Sequence, residues 1–387
     1  MFSNFHSILI LTILYLIEAE DIFEIRSKRA SLKRYKSNFT LPIKYYYGFT
    51  SNCRIIEKAL HHISEYTCLT FHKEKKRFSG LGIIFDRDSF NDVYDHLEKR
   101  ETSLIKVTNK CTNKIGCIKH LVVRALGLLP QTIRWDRNSY IRVLEKNLDE
   151  EGLKRYKKKY GGRVRIMNTA FDFGSISHYE RNYMAKKGKY AYESKMNKLY
   201  NKMLGQRYDL SHNDIKLLND FYCGNVCPEK VIGCVNGGYP DPKACDYCKC
   251  PRGYSGKRCE DIVESDPECG KTHLYASQNE KTLTINSSLT CTYLLKSKPK
   301  TKIEVTVVET NLNGHKPCAE GLGLEIKNRH DKGTTGLCLC GKNENVKMKG
   351  IFSQVFVQYH GENDDDFAIL KYKAVSAKQA EEFDYTA

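Results

Sequence analysis

The sequence predicts an α+β domain followed by a small disulfide-stapled module and an all-β sandwich. Three observations predict that order: a helix-period apolar run near residue 120, a knot of cysteines after residue 226, and alternating apolar and polar residues in the last third. A chain of 387 residues with 41% hydrophobic content can bury a core, and at roughly 100 to 200 residues per domain it holds two or three domains.

Residues 1–19 read as a secretory signal peptide, with an apolar run over 8–17 ahead of the small Ala19. The run is too short for a membrane span, and its leading segment carries His6 but no Lys or Arg. No other stretch reaches about 18 apolar residues, so the expected location is secreted and extracellular, without a membrane span. Residues 20–29 read as a short propeptide. "RSKR" at 26–29 sets paired basic residues before Ala30, as proprotein convertases require, which makes Arg29 the processing residue; an ordinary charged linker is the other reading.

Sixteen cysteines suit an oxidising compartment. Cys53, Cys68, Cys111 and Cys117 are scattered through the first half, six crowd into 227–259, and five follow over 269–340. That unevenness marks one large cored domain and smaller modules behind it. Asn38 in "NFT" and Asn286 in "NSS" are glycosylation sequons.

The formal net charge is +17, with basic runs "KEKKR" at 73–77 and "KRYKKKYGGR" at 154–163. A secreted chain rarely meets nucleic acid, which excludes that partner, and such runs are ordinarily solvated loops or helix faces. The expected partners are extracellular proteins or matrix, with sulfated or otherwise anionic glycans among them.

Ile118, Leu121, Val122, Ala125, Leu126 and Leu129 recur at three- and four-residue steps, predicting an amphipathic helix with one buried stripe. Gly127 is placed to turn the chain at its end. His120 and Arg124 stand four apart and share a face. A zinc-protease helix of the form H-E-x-x-H-x-x-G-x-x-H carries two histidines on that face, a Glu after the first, and a third His past the glycine. Here those positions hold His120, Leu121, Arg124, Gly127 and Pro130, one ligand of three.

Further matches follow in order. "TCLTF" at 67–71, "RWDRNSY" at 134–140, "DFGSISHY" at 172–179 and "GQRYDLSHNDIKLLNDFYC" at 205–223 are similar to T-C-I-x-F, R-x-D-R-x-x-Y, the Met-turn D-Y-G-S-I-M-H-Y and the closing segment of one family. On these residues the chain resembles the astacin zinc metalloproteases, in the nematode type with EGF-like and CUB domains. The resemblance implies an astacin-like (metzincin) catalytic-type domain over 30–223, zinc as cofactor, and a Cys68–Cys223 disulfide. Cys53, Cys111 and Cys117 stay unassigned, Cys111 with Cys117 being one possibility.

The departures bear on activity. The resemblance makes position 121 the general base, and Leu121 has no ionisable group. Arg124 and Pro130 occupy the second and third ligand positions; a guanidinium stays protonated and proline offers no side-chain donor. His120 is retained, with Tyr179 matching the family's additional tyrosine ligand. Ser177 replaces the Met beneath the metal, and Gln131 replaces the Glu that anchors the processed N-terminus. A catalytic zinc site needs about three protein ligands and an open position, so zinc is not expected to bind. Arg124 is expected to pair with a cleft carboxylate or with the hydroxyl of Tyr179.

Residues 227–260 hold six cysteines with N-G-G after the second and C-P-x-G-Y-x-G near the end, an EGF-like pattern in which disulfides staple a core too small to stand alone. By resemblance the pairs are Cys227–Cys245, Cys234–Cys248 and Cys250–Cys259; no acidic calcium signature precedes Cys227. Residues 269–375 alternate in runs such as "KIEVTVVET" and "SQVFVQYHG" and resemble a CUB sandwich, with Cys269–Cys291 and Cys318 joined to Cys338 or Cys340. Asp364, Asp365 and Asp366 read as a solvated hairpin turn, and 376–387 as a disordered tail. The whole reads as a secreted astacin-family homologue that is catalytically inactive and acts by binding. The alternatives are an active zinc endopeptidase with substitute ligands such as His178 or Asp172, and a structural matrix or adhesion component.

Overall fold

A computed structural model describes residues 30–33, 39–50, 53–94, 101–159, 164–167 and 169–377. The stretches expected to be a signal peptide and a propeptide ending at Arg29, the sequon at Asn38, and residues 378–387 of the expected tail lie outside them.

β1 (Ala30–Lys33) pairs antiparallel with Val164–Met167. The first sheet is built from β2 (Ile43–Tyr47), β3 (Phe71–Lys73), β4 (Ile83–Arg87), β5 (Asp92–Tyr94) and β6 (Ser103–Val107), in the order β3-β2-β4-β6-β5. All neighbours run parallel except β5, which lies antiparallel to β6 and leaves a free edge. Helix α1 (Arg54–Tyr66) buries Ile56, Ala59, Leu60 and Ile63, the three- and four-residue spacing that turns one stripe to a core.

Helix α2 (Ile115–Ala125) departs from the expected pattern. Its residues 118–123 are all buried, Lys119 and His120 among them. The helix is central instead of amphipathic: α1, β5 and β6 all pack against it, and Lys119 reaches Asp209 at 2.6 Å. It ends at Ala125 because Gly127 takes φ +100°. Gly127 N donates to Arg124 O and Leu128 N to Val123 O, the paired bonds of a Schellman cap.

The C-terminal half of this domain has β7 (Ile141–Val143), the short helix α3 (Glu150–Arg155), β8 (Val164–Met167), β9 (Tyr192–Ser194) and helix α4 (His212–Tyr222). α4 opens on a capping box between Ser211 and Asp214. It delivers Cys223 to Cys68 beyond the end of α1.

In the small module β10 (Tyr239–Asp241) pairs with β11 (Ala244–Lys249), and β12 (Tyr254–Ser255) with β13 (Asp261–Ile262). Disulfides join Cys227 to Cys245, Cys234 to Cys248 and Cys250 to Cys259. Its core borrows from outside: Tyr254 stacks on Phe356 of the sandwich, centroids 4.9 Å apart.

The sandwich has β14 (His273–Tyr275), β15 (Lys281–Asn286), β16 (Thr290–Lys296), β17 (Thr301–Asn311), β18 (Gly323–Lys327), β19 (Leu337–Leu339), β20 (Asn343–Met348), β21 (Gln354–His360) and β22 (Phe367–Ser376). They form two sheets, β14-β16-β21-β18-β19 and β15-β22-β17-β20. β22 extends through Ser376, so the tail begins later than the sequence suggests. Disulfides join Cys269 to Cys291 and Cys318 to Cys340, and Cys111 to Cys117 in the first domain; Cys53 and Cys338 are free. The acidic turn before β22 is only partly solvated. Asp366 is buried and accepts the Glu362 and Asn363 amides, which rigidifies the hairpin. Asn286 is exposed at the end of β15.

The sandwich is seated on the first domain. Asp331 accepts from Ala170 N at 3.1 Å, Arg329 donates to Phe171 O at 2.7 Å, and Thr335 N donates to Asp172 Oδ1 at 3.2 Å. A Cβ on Gly174 would stand 2.3 Å from Thr335 Oγ1, so glycine is what permits this approach. Phe171, Phe173, Tyr200 and Met203 share one hydrophobic core with sandwich residues Leu337 and Leu339.

Candidate functional site

His120 lies on α2 with its Nδ1 2.7 Å from Ile176 O. A carbonyl only accepts, so Nδ1 carries the proton and Nε2 the lone pair. Burial, then the charges of Arg207 and Arg124, hold its pKa well below the ordinary histidine value, so the ring is neutral. Leu121, one residue on, points into the core of the first sheet at 1% exposure. Nothing at that position can take a proton.

One turn further, Arg124 Nη2 donates to Asp92 Oδ1 at 3.3 Å, and its guanidinium stands 5.7 Å from the ring centre of Tyr179. The expected cleft carboxylate is thus Asp92, on the free-edge strand β5. Asp92 is buried and is shared: Arg155 Nη2 of α3 donates to Oδ2, also at 3.3 Å. One carboxylate between two guanidiniums ties the central helix, the sheet edge and the C-terminal half together. Neither Asp92 nor Arg155 stands out in the sequence. Asp92 sits in an unremarkable polar stretch, and Arg155 hides within a basic run that reads as solvated.

Pro130 is buried and starts a 3-10 turn over Gln131–Ile133. Gln131 Oε1 accepts from Arg134 at 3.1 Å, while Arg134 also makes a two-pronged bond to Asp136. Tyr179 is buried, stacked on Tyr183 at 4.5 Å and edge-on to Tyr156 at 5.6 Å. Burial raises its phenol pKa, so it stays neutral.

The turn beneath the site is polar where an apolar Met is expected from the resemblance. Ser177 Oγ lies 2.8 Å from Ser175 Oγ, which donates to Asp214 Oδ1 at 2.6 Å. Asp214 Oδ2 accepts from Ile176 N at 2.8 Å and Ser211 N at 3.0 Å. Burial, then neighbouring Asp172, pushes the Asp214 carboxyl up to about 7. Arg207, not anticipated as a site residue, donates to Ile176 O, Gln206 O and His178 O. Half-buried, it is lowered by desolvation to about 10 and remains a cation at neutral pH.

The two alternative ligands are each held through one atom, while His178 Nδ1 and Asp172 Oδ2 have no hydrogen-bond partner among the described residues and stand in no metal-holding group. His178 Nε2 donates to Asp172 O at 2.9 Å, and burial lowers its pKa to about 3. Asp172 Oδ1 accepts from Gly174 N and Thr335 N. Among the described residues no three His, Cys, Asp or Glu side chains converge in a metal-holding group. The donor set does not fit zinc: one imidazole lone pair stands beside a guanidinium where the second should be, and a proline ring where the third should be.

A family model described as Astacin, a peptidase family, matches residues 31–223. The chain is 36% identical over 211 residues to the zinc metalloproteinase dpy-31 of Caenorhabditis elegans, covering 54% of this chain and 35% of that protein. It is 25% identical over 359 residues to the zinc metalloproteinase nas-34 of the same species, covering 90% of this chain and 58% of that one. The chain therefore spans less than two thirds of either relative. Among solved structures, high choriolytic enzyme 1, a hatching enzyme zinc-protease of the medaka Oryzias latipes, is similar at 23% identity with a TM-score of 0.42, covering 49% of this chain and 94% of that one.

Proposed function

The chain belongs to the astacin family of peptidases through residues 31–223, and on that premise we propose that it is a secreted, catalytically silent member acting by extracellular protein or matrix binding. The observation that carries this reading is the bond from Arg124 to Asp92. A permanent cation with no lone pair fills the second ligand position and is held there by a buried carboxylate.

Two further losses support it. Leu121 removes the proton acceptor that a water-activating site requires, a group worth about 10²- to 10⁴-fold in rate. Pro130 removes the third donor, leaving His120 Nε2 as a lone imidazole ligand. The seven disulfides among the described residues favour an oxidising, extracellular setting.

The test is elemental analysis for zinc in the purified chain, together with peptidase assays on an unfolded protein and a cooperative unfolding transition as proof of folding. The expected result is a folded chain with neither zinc nor cleavage. One zinc per chain with chelator-sensitive cleavage overturns the reading and calls for a search for other ligands.

A further inference from the structure

We propose that the loop 184–190 is the centre of a surface that binds a sulfated polysaccharide. This goes beyond the loss of catalysis and does not depend on it.

Charge is the first observation. Between residues 181 and 198 stand Arg181, Lys186, Lys187, Lys189, Lys195 and Lys198 against Glu193 alone, six minus one or +5 of the chain's +17. Glu193 is itself satisfied by Arg142 at 2.5 Å. Lys186, Lys187 and Lys189 are exposed and make no ion pair among the described residues. A local excess of that kind raises the concentration of a polyanion at the surface.

The second observation is that these cations stand on a fixed frame. Lys186 N donates to Asn147 O at 2.8 Å, Lys189 N to Lys186 O at 2.9 Å, and Ala191 N to Arg181 O at 2.7 Å. Gly188, at φ +72°, makes the reversal that sets Lys187 and Lys189 on either side of it. The Asn147 side chain holds Tyr190 O at 2.8 Å, and Lys186 Nζ reaches Lys146 O at 2.9 Å, bringing a further lysine's segment alongside. Lysines on a main chain held in this way lose less backbone freedom on binding than lysines on a flexible tail.

The third observation decides the class of partner. Tyr190 is 53% exposed, but its ring is covered by the Arg181 guanidinium at 3.9 Å, and Met184 and Ala185 are half-buried. No uncovered apolar side chain in the loop is free to enter a bilayer, which interfacial binding requires. What is offered is a cluster of exposed lysines carried on a hydrogen-bonded main chain beside a planar guanidinium, suited to the repeating sulfates of a linear polysaccharide.

The experiment measures binding of the full chain to heparin, to unsulfated hyaluronan and to phosphatidylserine vesicles, each over a range of salt. Heparin binding at about 0.15 M salt that weakens at least tenfold in K186A/K187A/K189A, with less than a twofold change in the control K58A/K75A/K76A on the first sheet's side, supports the assignment. Hyaluronan is expected to bind at least tenfold more weakly than heparin. Equal weakening in both triple variants assigns binding to diffuse net charge and overturns the proposal. So does absence of heparin binding, equal affinity for hyaluronan, or binding to the vesicles alone.

Discussion

Arg124 and Asp92 join the central helix to the free edge of the first sheet through a 3.3 Å bond, and Arg155 grips the same carboxylate from the other side. The charge that displaces a metal ligand is thereby built into the packing.

Removing Arg124 should therefore be felt in stability. Arg124→Met leaves Asp92 with Arg155, so the expected cost is about 1 to 3 kcal/mol, below that of stranding a buried charge. Asp92→Asn, which leaves two guanidiniums facing each other, is expected to cost more. Urea denaturation gives both values. Unchanged midpoints would show that the bridge contributes nothing.

The retained histidine makes a second expectation. With Nδ1 committed to Ile176 O, His120 keeps Nε2 available. Arg124→His with Pro130→His is expected to take up one zinc per chain, and to cleave protein only when Leu121→Glu is added. Elemental analysis separates the two steps. A double-histidine variant that folds without zinc would mean that the site has drifted in backbone as well as in side chains.

His212 carries a pH dependence. It is buried, donates from Nε2 to Gly237 O at 3.0 Å, and burial lowers its pKa to about 4. Between about pH 4 and 6.5 the unfolded chain binds the extra proton, so this contribution is full above 6.5 and is lost as pH falls through the window, roughly 3 kcal/mol in all. Asp214, raised to about 7, tilts the other way and remains in both proteins. His212→Gln should flatten the rise in stability from pH 4.5 to 7 by denaturant titration. A variant with the wild-type pH profile would refute the assignment.

The free thiols should report their burial. Cys53 is half-buried, whereas Cys338 is enclosed opposite Glu325 in the sandwich, where burial raises its pKa well above the ordinary value. Under native, non-reducing conditions maleimide is expected to label one cysteine, Cys53. The second should react only after unfolding, as mass spectrometry would record.

Much of this is legible in the residues alone, and what is not has a physical reason. Local signals carry far: the apolar period around Ile118, the glycine at 127 and the alternation in β17 and β21 each report a neighbourhood of a few residues. What stays hidden is pairing across the chain. Asp92 and Arg124 are 32 residues apart and Lys119 and Asp209 are 90 apart, and no local period encodes such a meeting. The amphipathic reading of α2 fails for a related reason: Lys119 looks like a solvent-facing residue until its ammonium finds a carboxylate from another segment. The turn at Ser175 and Ser177 reads in sequence as a lost methionine. The structure adds that Asp214 holds that turn.

The seat of the sandwich has a mechanical meaning. Asp331 and Arg329 grip backbone atoms of Ala170 and Phe171, a purchase that does not depend on which side chains those residues carry. Those two bonds tolerate drift at Ala170, whereas Asp172, Gly174 and the Phe171 and Phe173 rings must be kept for the seat to close. A pull on the sandwich therefore loads residues 170–172 directly, a few residues ahead of Ile176, whose carbonyl holds His120.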